Sequence, residues 1–177
     1  AEAFERVDMP WCGTMSFDTA GRTMMGTTSA EMVRLVDGLS SPPVAFGANC
    51  GVGASDLLRT VLGFAAQGTE RTIIAKGNAG IPKYVDGHIH YDGTPELMAD
   101  YAVLARDAGA RIIGGCCGTM PVHLKAMRKA LESRPKGERP TLDDIATRIG
   151  GFSSEADGTE AGASPERARN RRRRRSA

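Results

Sequence analysis

Apolar residues in this chain follow two alternating rhythms. Short apolar runs read as buried strands, and each is followed, after a turn, by a stretch in which apolar positions return every three or four residues, as on one helix face. The pattern predicts four successive βα units. The first has a strand within Pro10–Phe17, a Gly- and Thr-rich loop over Asp18–Thr28, and a helix capped by Ser29 with Met32, Leu35, Val36 and Leu39 on one face. After the Pro42–Pro43 breaker, the second has a strand at Val44–Ala48, a turn at Asn49–Cys50–Gly51, and a helix from about Ser55 to Ala66, with Ser55 as N-cap. The third places a short strand at Thr72–Ala75, then Lys76–Gly80 and a long loop to Gly93. Its helix opens at Thr94 with Pro95 at the first helical position and ends before Gly109. The fourth has a strand at Ala110–Gly114, a turn at Gly115–Thr119 and a helix from Pro121 to about Ser133. Alternating strands and helices of this kind predict an α/β fold with a parallel sheet.

Beyond Ser133 the pattern changes. Residues 134–139 read as a linker, Thr141–Ile149 as one or two amphipathic helical turns, and the stretch from Gly150 as a disordered tail poor in large apolar residues. The domain division is therefore 1–133 for the folded part and 134–177 for linker and Arg-rich tail. Because residue 1 is Ala and Glu2–Val7 reads as the end of a helix, the chain is expected to be a fragment.

The 41% hydrophobic content suffices for one core, and no apolar run approaches the roughly 18 residues that span a bilayer. No signal peptide opens the sequence, so a soluble cytoplasmic protein without membrane partners is expected. The net charge of +2 is unevenly spread: seven Arg and one Glu follow Pro165, leaving 16 basic and 20 acidic residues elsewhere. Arg167–Arg175 lacks interleaved aromatics and a folded scaffold, which argues for a solvated end rather than a nucleic-acid-binding arm.

In a parallel α/β fold the active site lies at the carboxyl ends of the strands, which points to Asn49–Cys50, Lys76–Asn78 and Cys116–Cys117. Cys12, inside the first strand, is expected to pack as a small core residue. Cys50, Cys116 and Cys117 come from two strands separated by one βα unit, and three thiolates suit a tetrahedral zinc site with one open position. Buried cysteines acting as small hydrophobes, or a Cys116–Cys117 redox pair, are the alternatives that spacing leaves open.

Gly47–Ala48–Asn49–Cys50 and Gly114–Gly115–Cys116–Cys117–Gly118–Thr119 resemble the paired cysteine signature of the homocysteine S-methyltransferase family. Lys76–Gly80 is similar to the end of that family's seventh strand, and the resemblance runs from Pro10 to about Ser133. It implies a zinc-bearing TIM (β/α)8 barrel of which this chain holds about the last four βα units. It also implies Cys50, Cys116 and Cys117 as ligands of Zn2+, with the homocysteine sulfur as fourth ligand. The implied reaction transfers a methyl group to that thiol and yields methionine. Tyr84, Gly93 and Thr94–Pro95–Glu96 point to the bacterial betaine–homocysteine type; S-methylmethionine and methylcobalamin are the alternative donors. The family's homocysteine-binding acidic loops lie in the first half of its barrel and have no counterpart here. The expected partners are therefore homocysteine, a methyl donor, and either an N-terminal half-barrel or a second copy covering the open strand edges. A non-catalytic zinc-binding half-barrel is the alternative to an enzyme.

Asn49 is the candidate substrate-binding residue. Asn78 offers similar chemistry, and for both the competing role is to satisfy turn backbone. Lys76 reads as a solvated or paired cation, His88 and His90 as surface residues of a polar loop, and His123 as a solvated helix residue.

Overall fold

Four strands of the sequence pair in parallel, each with a helix after it. The computed structural model describes residues 3–6 and 9–156. In chain order the strands and α-helices are β1 (Cys12–Met15), α1 (Ser29–Asp37), β2 (Ala45–Cys50), α2 (Ala54–Ala65), β3 (Thr72–Gly77), β4 (Pro82–Val85), β5 (His88–Tyr91), α3 (Pro95–Ala108), β6 (Ala110–Gly115), α4 (Pro121–Ser133) and α5 (Leu142–Ile149). Phe4–Arg6 is a single 3-10 turn. The main sheet has the order β1-β2-β3-β6, all parallel, with β1 and β6 at its edges; β4 and β5 form a separate antiparallel hairpin. This is an α/β architecture consistent with part of a TIM barrel.

Side-chain alternation divides the sheet into two faces. Phe46, Ala48, Ile73 and Ala75 point toward the helices and meet Leu58, Val61 and Phe64 of α2, and Met98 and Tyr101 of α3, in one buried cluster. Phe64 packs edge-on against Phe46 at 5.2 Å and Phe17 at 5.6 Å between ring centroids. Each such side chain withdrawn from water contributes about 1.5–3 kcal/mol. The opposite face carries the register rows Cys12–Ala45–Thr72, Thr14–Gly47–Ile74–Ile112 and Asn49–Lys76–Gly114. Cys12 is therefore exposed, not a core residue: it begins an edge strand and points to the side away from the helices.

Local chemistry corrects other boundaries. Thr28, not Ser29, caps α1, because its hydroxyl accepts from Glu31 N at 3.2 Å while the Glu31 carboxylate accepts from Thr28 N at 2.8 Å. Leu35 faces solvent, and Val33 takes its place among the buried positions of the helix. Gly53 is the N-cap of α2; Ser55 lies inside the helix and donates to Gly150 O at 2.7 Å. Strands β2 and β3 run two residues further than hydrophobicity suggests, carrying Asn49, Cys50, Lys76 and Gly77 into the sheet. The expected loop before Gly93 contains the β4–β5 hairpin. Asp86 and Gly87, with φ of 50° and 81°, supply the left-handed turn it needs.

Residues 134–156, assigned by composition to linker and tail, lie on the helical layer. Ile145 of α5 is fully buried among α2 and α3 residues. Ser153 N donates to Asp56 Oδ2 at 3.0 Å, Arg59 Nη1 donates to Ser154 O at 2.9 Å, and the Arg59 guanidinium stands 4.5 Å from the Phe152 ring centroid. The buried Asp56–Arg59 ion pair at 2.6 Å thus has its remaining polar atoms partly engaged by this segment. The Arg167–Arg175 run lies outside the described residues.

Candidate metal centre

Cys50, Gly77 and Gly115 stand in one register row at the carboxyl ends of β2, β3 and β6. Neighbouring strands are about 4.8 Å apart, so two spacings separate β2 from β6, too far for sulfurs on straight strands to meet. Two departures from regular strand geometry close the gap. Cys50 takes a φ of +58°, unusual for a non-glycine residue, and with Gly51 at +77° turns off the end of β2. The turn after β6 crosses the end of β3 through Cys116 N to Gly77 O at 2.8 Å and Ala79 N to Cys117 O at 3.0 Å.

Asn78 ties the two cysteine loops together. Its side chain, 2% exposed, donates through Nδ2 to Gly51 O at 2.9 Å and accepts through Oδ1 from Cys117 N at 3.2 Å. One amide side chain therefore sets the separation of Cys50 from Cys117. From behind, the buried Tyr101 hydroxyl accepts from Gly77 N at 2.9 Å, and a Cβ on Gly77 would approach that ring to 3.0 Å.

The sulfurs converge. Cys50 Sγ lies 3.4 Å from Cys117 Sγ, Cys116 Sγ lies 4.0 Å from it, and all three fall within 4.8 Å of one another. A tetrahedral zinc ion with Zn–S distances of about 2.3 Å requires sulfurs about 3.8 Å apart, so the trio fits such an ion. Among the described residues it is the one group of three or more His, Cys, Asp and Glu side chains that converges in this way. All four cysteines are free thiols.

Electrostatics make the three sulfurs unequal. Burial, and then the Cys117 and Cys116 sulfurs, push the Cys50 thiol up to about 11. Hydrogen bonds from Cys50 and Cys116 hold Cys117 below the ordinary thiol range. A cation at the centre would offset the mutual repulsion of the three thiolates.

The other expected residues are distributed around this centre. Asn49 faces the side of the sheet away from the helices, beside Lys76 in register, and donates to Ser16 Oγ over a long 3.5 Å. His88 and His90 are exposed on β5 and stand outside the converging group. His123 is buried, contrary to the solvated position expected of it. Its Nδ1 accepts from Met120 N at 2.9 Å and its Nε2 donates to Gly93 O at 3.0 Å, which places the ring proton on Nε2. Sequence reasoning did not single out Tyr91 or Tyr101. Tyr91 packs the root of its ring against Gly118, next to Cys117, where a Cβ on the glycine would lie 2.3 Å from Tyr91 Cγ. A tyrosine in an otherwise apolar helical face was the available signal for Tyr101, and the Asp86–Gly87 turn was the signal for the hairpin that carries Tyr91.

A parallel α/β sheet with three cysteine sulfurs gathered at its carboxyl ends defines a class of fold whose strand ends could hold a soft metal ion. The sequence model of the homocysteine S-methyltransferase family matches residues 1–131, and the chain belongs to that family. The membership supports methyl transfer to homocysteine as the activity class. No helix among the described residues is long and apolar enough to cross a membrane.

Proposed function

We propose that this chain carries the zinc-thiolate half of a homocysteine S-methyltransferase that uses betaine as methyl donor and yields methionine. The observation that carries the reading is the convergence of Cys50, Cys116 and Cys117 within 4.8 Å at the strand ends, in a chain of this family. Zinc, when bound by these three cysteines, would supply a thiolate nucleophile at neutral pH by displacing the proton of the substrate thiol. The protein's own part is positional. Asn78 fixes the spacing of the two cysteine loops, and Tyr101 braces β3 between them. Asn49, on the sheet face shared with Lys76, is proposed to hydrogen-bond the amino-acid end of the substrate.

Among the described residues, β1 and β6 are the edge strands of the main sheet, with no further strand beside either. Closure into an eight-stranded barrel, by further strands of a longer chain, a companion half-barrel or a second copy, supplies the remaining homocysteine and donor contacts in this reading.

Methionine formation from homocysteine and betaine, assayed with the chain alone and with an added N-terminal half of the family barrel, tests the proposal. Activity with betaine in the complemented sample is the expected result. Activity only with S-methylmethionine or methylcobalamin would reassign the donor. No methionine from any donor, in a complemented sample that holds zinc, would leave a non-catalytic metal-binding protein.

A further inference from the structure

The turn that carries Cys116 and Cys117 is held at both ends, and both ties lead to Gly93. At the near end Cys117 O accepts from Ala79 N at 3.0 Å, and Ala79 O in turn accepts from Gly93 N at 2.9 Å. At the far end, where the turn enters α4, Met120 N donates to His123 Nδ1 at 2.9 Å and His123 Nε2 donates to Gly93 O at 3.0 Å. The path from Cys117 through Ala79, Gly93, His123 and Met120 closes on itself through Gly118 and Thr119. Every link in it is backbone except the His123 ring. At Gly93 a Cβ would lie 2.3 Å from the Ala79 carbonyl carbon, so the two backbone segments cross in direct contact. His123 is buried at the third position of α4, where Glu or Gln commonly accepts from the N-cap N–H. The imidazole makes that bond with one nitrogen and reaches the segment before α3 with the other.

We propose that His123 is a positioning residue of the metal centre: its ring, protonated at Nε2, closes this circuit and holds the turn so that the Cys117 sulfur faces a bound metal. The inference rests on the metal-binding reading above. The turn has little stiffness of its own. Cys117 is exposed, Gly118 has a φ of +73° and no side chain, and the bond within the turn, Thr119 N to Cys116 O, is a long 3.2 Å. Without the ring, Met120 N loses its acceptor and the exit of the turn loses its tie to Gly93, which leaves Gly118 as a pivot for Cys117. Asn78 acts at a different point, between Gly51 O and Cys117 N, so it does not replace this tie. Groups that fix a metal ligand from outside typically weaken metal binding about 10- to 100-fold when lost, and His123, acting on the backbone of the ligand loop, belongs at the lower end.

Zinc competition against a chromophoric chelator, with the full chain under reducing conditions, reads the effect. His123→Leu fills the space without either bond and is expected to raise the zinc dissociation constant about tenfold, with unchanged far-UV circular dichroism. His123→Gln keeps an acceptor and a donor on one flat group and is expected to bring the constant back to within about threefold of the parent. Rescue by glutamine separates the two hydrogen bonds from mere filling of space. Parent-like zinc affinity in a folded His123→Leu, or the same loss in both variants, would overturn the inference while leaving the metal site intact. If His123→Leu loses its fold, nitrogen-15 NMR of the parent decides. A neutral ring protonated at Nε2, in a signal that His123→Gln removes, is the expected result, and a proton on Nδ1 would overturn the inference. A parent chain that binds no zinc would overturn the metal-binding reading and this inference together.

Discussion

Asn78 shows how much of the site depends on a single side chain. Its amide spans the loops of Cys50 and Cys117 and is buried. Asn78→Ala is expected to lower unfolding free energy by about 1–3 kcal/mol by orphaning Gly51 O and Cys117 N. The same variant should weaken zinc binding at least tenfold in a chelator competition, because the cysteine loops lose their common tie. Unchanged denaturation midpoint and zinc affinity would contradict the role assigned to it. The cysteines themselves were legible in the sequence through residue type and strand-end placement. For Asn78 the role of satisfying turn backbone was legible, but not which two turns it joins, since one partner lies 39 positions away. His123 was misjudged for the same reason: its acceptor, Gly93 O, belongs to another element 30 residues earlier.

Among the elements, α3, α4 and α5 meet at Asp100. Its carboxylate accepts from Arg134, at the end of α4, and from Arg148 of α5, at 2.5 and 3.0 Å. Partial burial is the largest single influence and raises its pKa, but the two arginines together outweigh it and hold the carboxyl below its ordinary value. A depressed folded-state pKa gives stability that is present above the unfolded value near 3.8 and lost as pH falls through the folded value. The parent should therefore lose stability relative to Asp100→Asn as pH drops from about 5 to 3, converging at the acid end. The gain at neutral pH is about 0.5–1 kcal/mol, small because the side chain is 31% exposed. Urea unfolding at several pH values checks this, and parallel curves would refute it. Helix α5 was only partly legible. Its amphipathic pattern and Thr141–Asp144 cap are local signals, but Ile145 is buried by contact with distant helices. Ile145→Ala should cost about 2–4 kcal/mol of stability. A negligible loss would mean that α5 is an appendage. The hairpin was missed because its strands are only four residues long and their apolar side chains Tyr84, Val85 and Ile89 are not buried in a core, although its Asp86–Gly87 turn was in plain view.

For the whole molecule, the sequence rhythm was sufficient for the parallel β-α order, because each strand's burial and each helix's apolar face are written locally. It was silent on the extension of β2 and β3 into polar residues, where hydrogen-bond pairing rather than hydrophobicity decides the boundary. That extension brings the site together: it sets Cys50, Gly77 and Gly115 in one row, from which the Cys50 turn and the Cys116–Cys117 turn meet over the end of β3. In the proposed function this geometry holds one zinc ion through three cysteines. It is tested most directly by zinc content per chain after gel filtration, measured for the parent and for Cys116→Ser. The account predicts about one zinc per parent chain and loss of most of it in the variant. A folded parent without zinc, or a Cys116→Ser variant that retains it fully, would contradict the account.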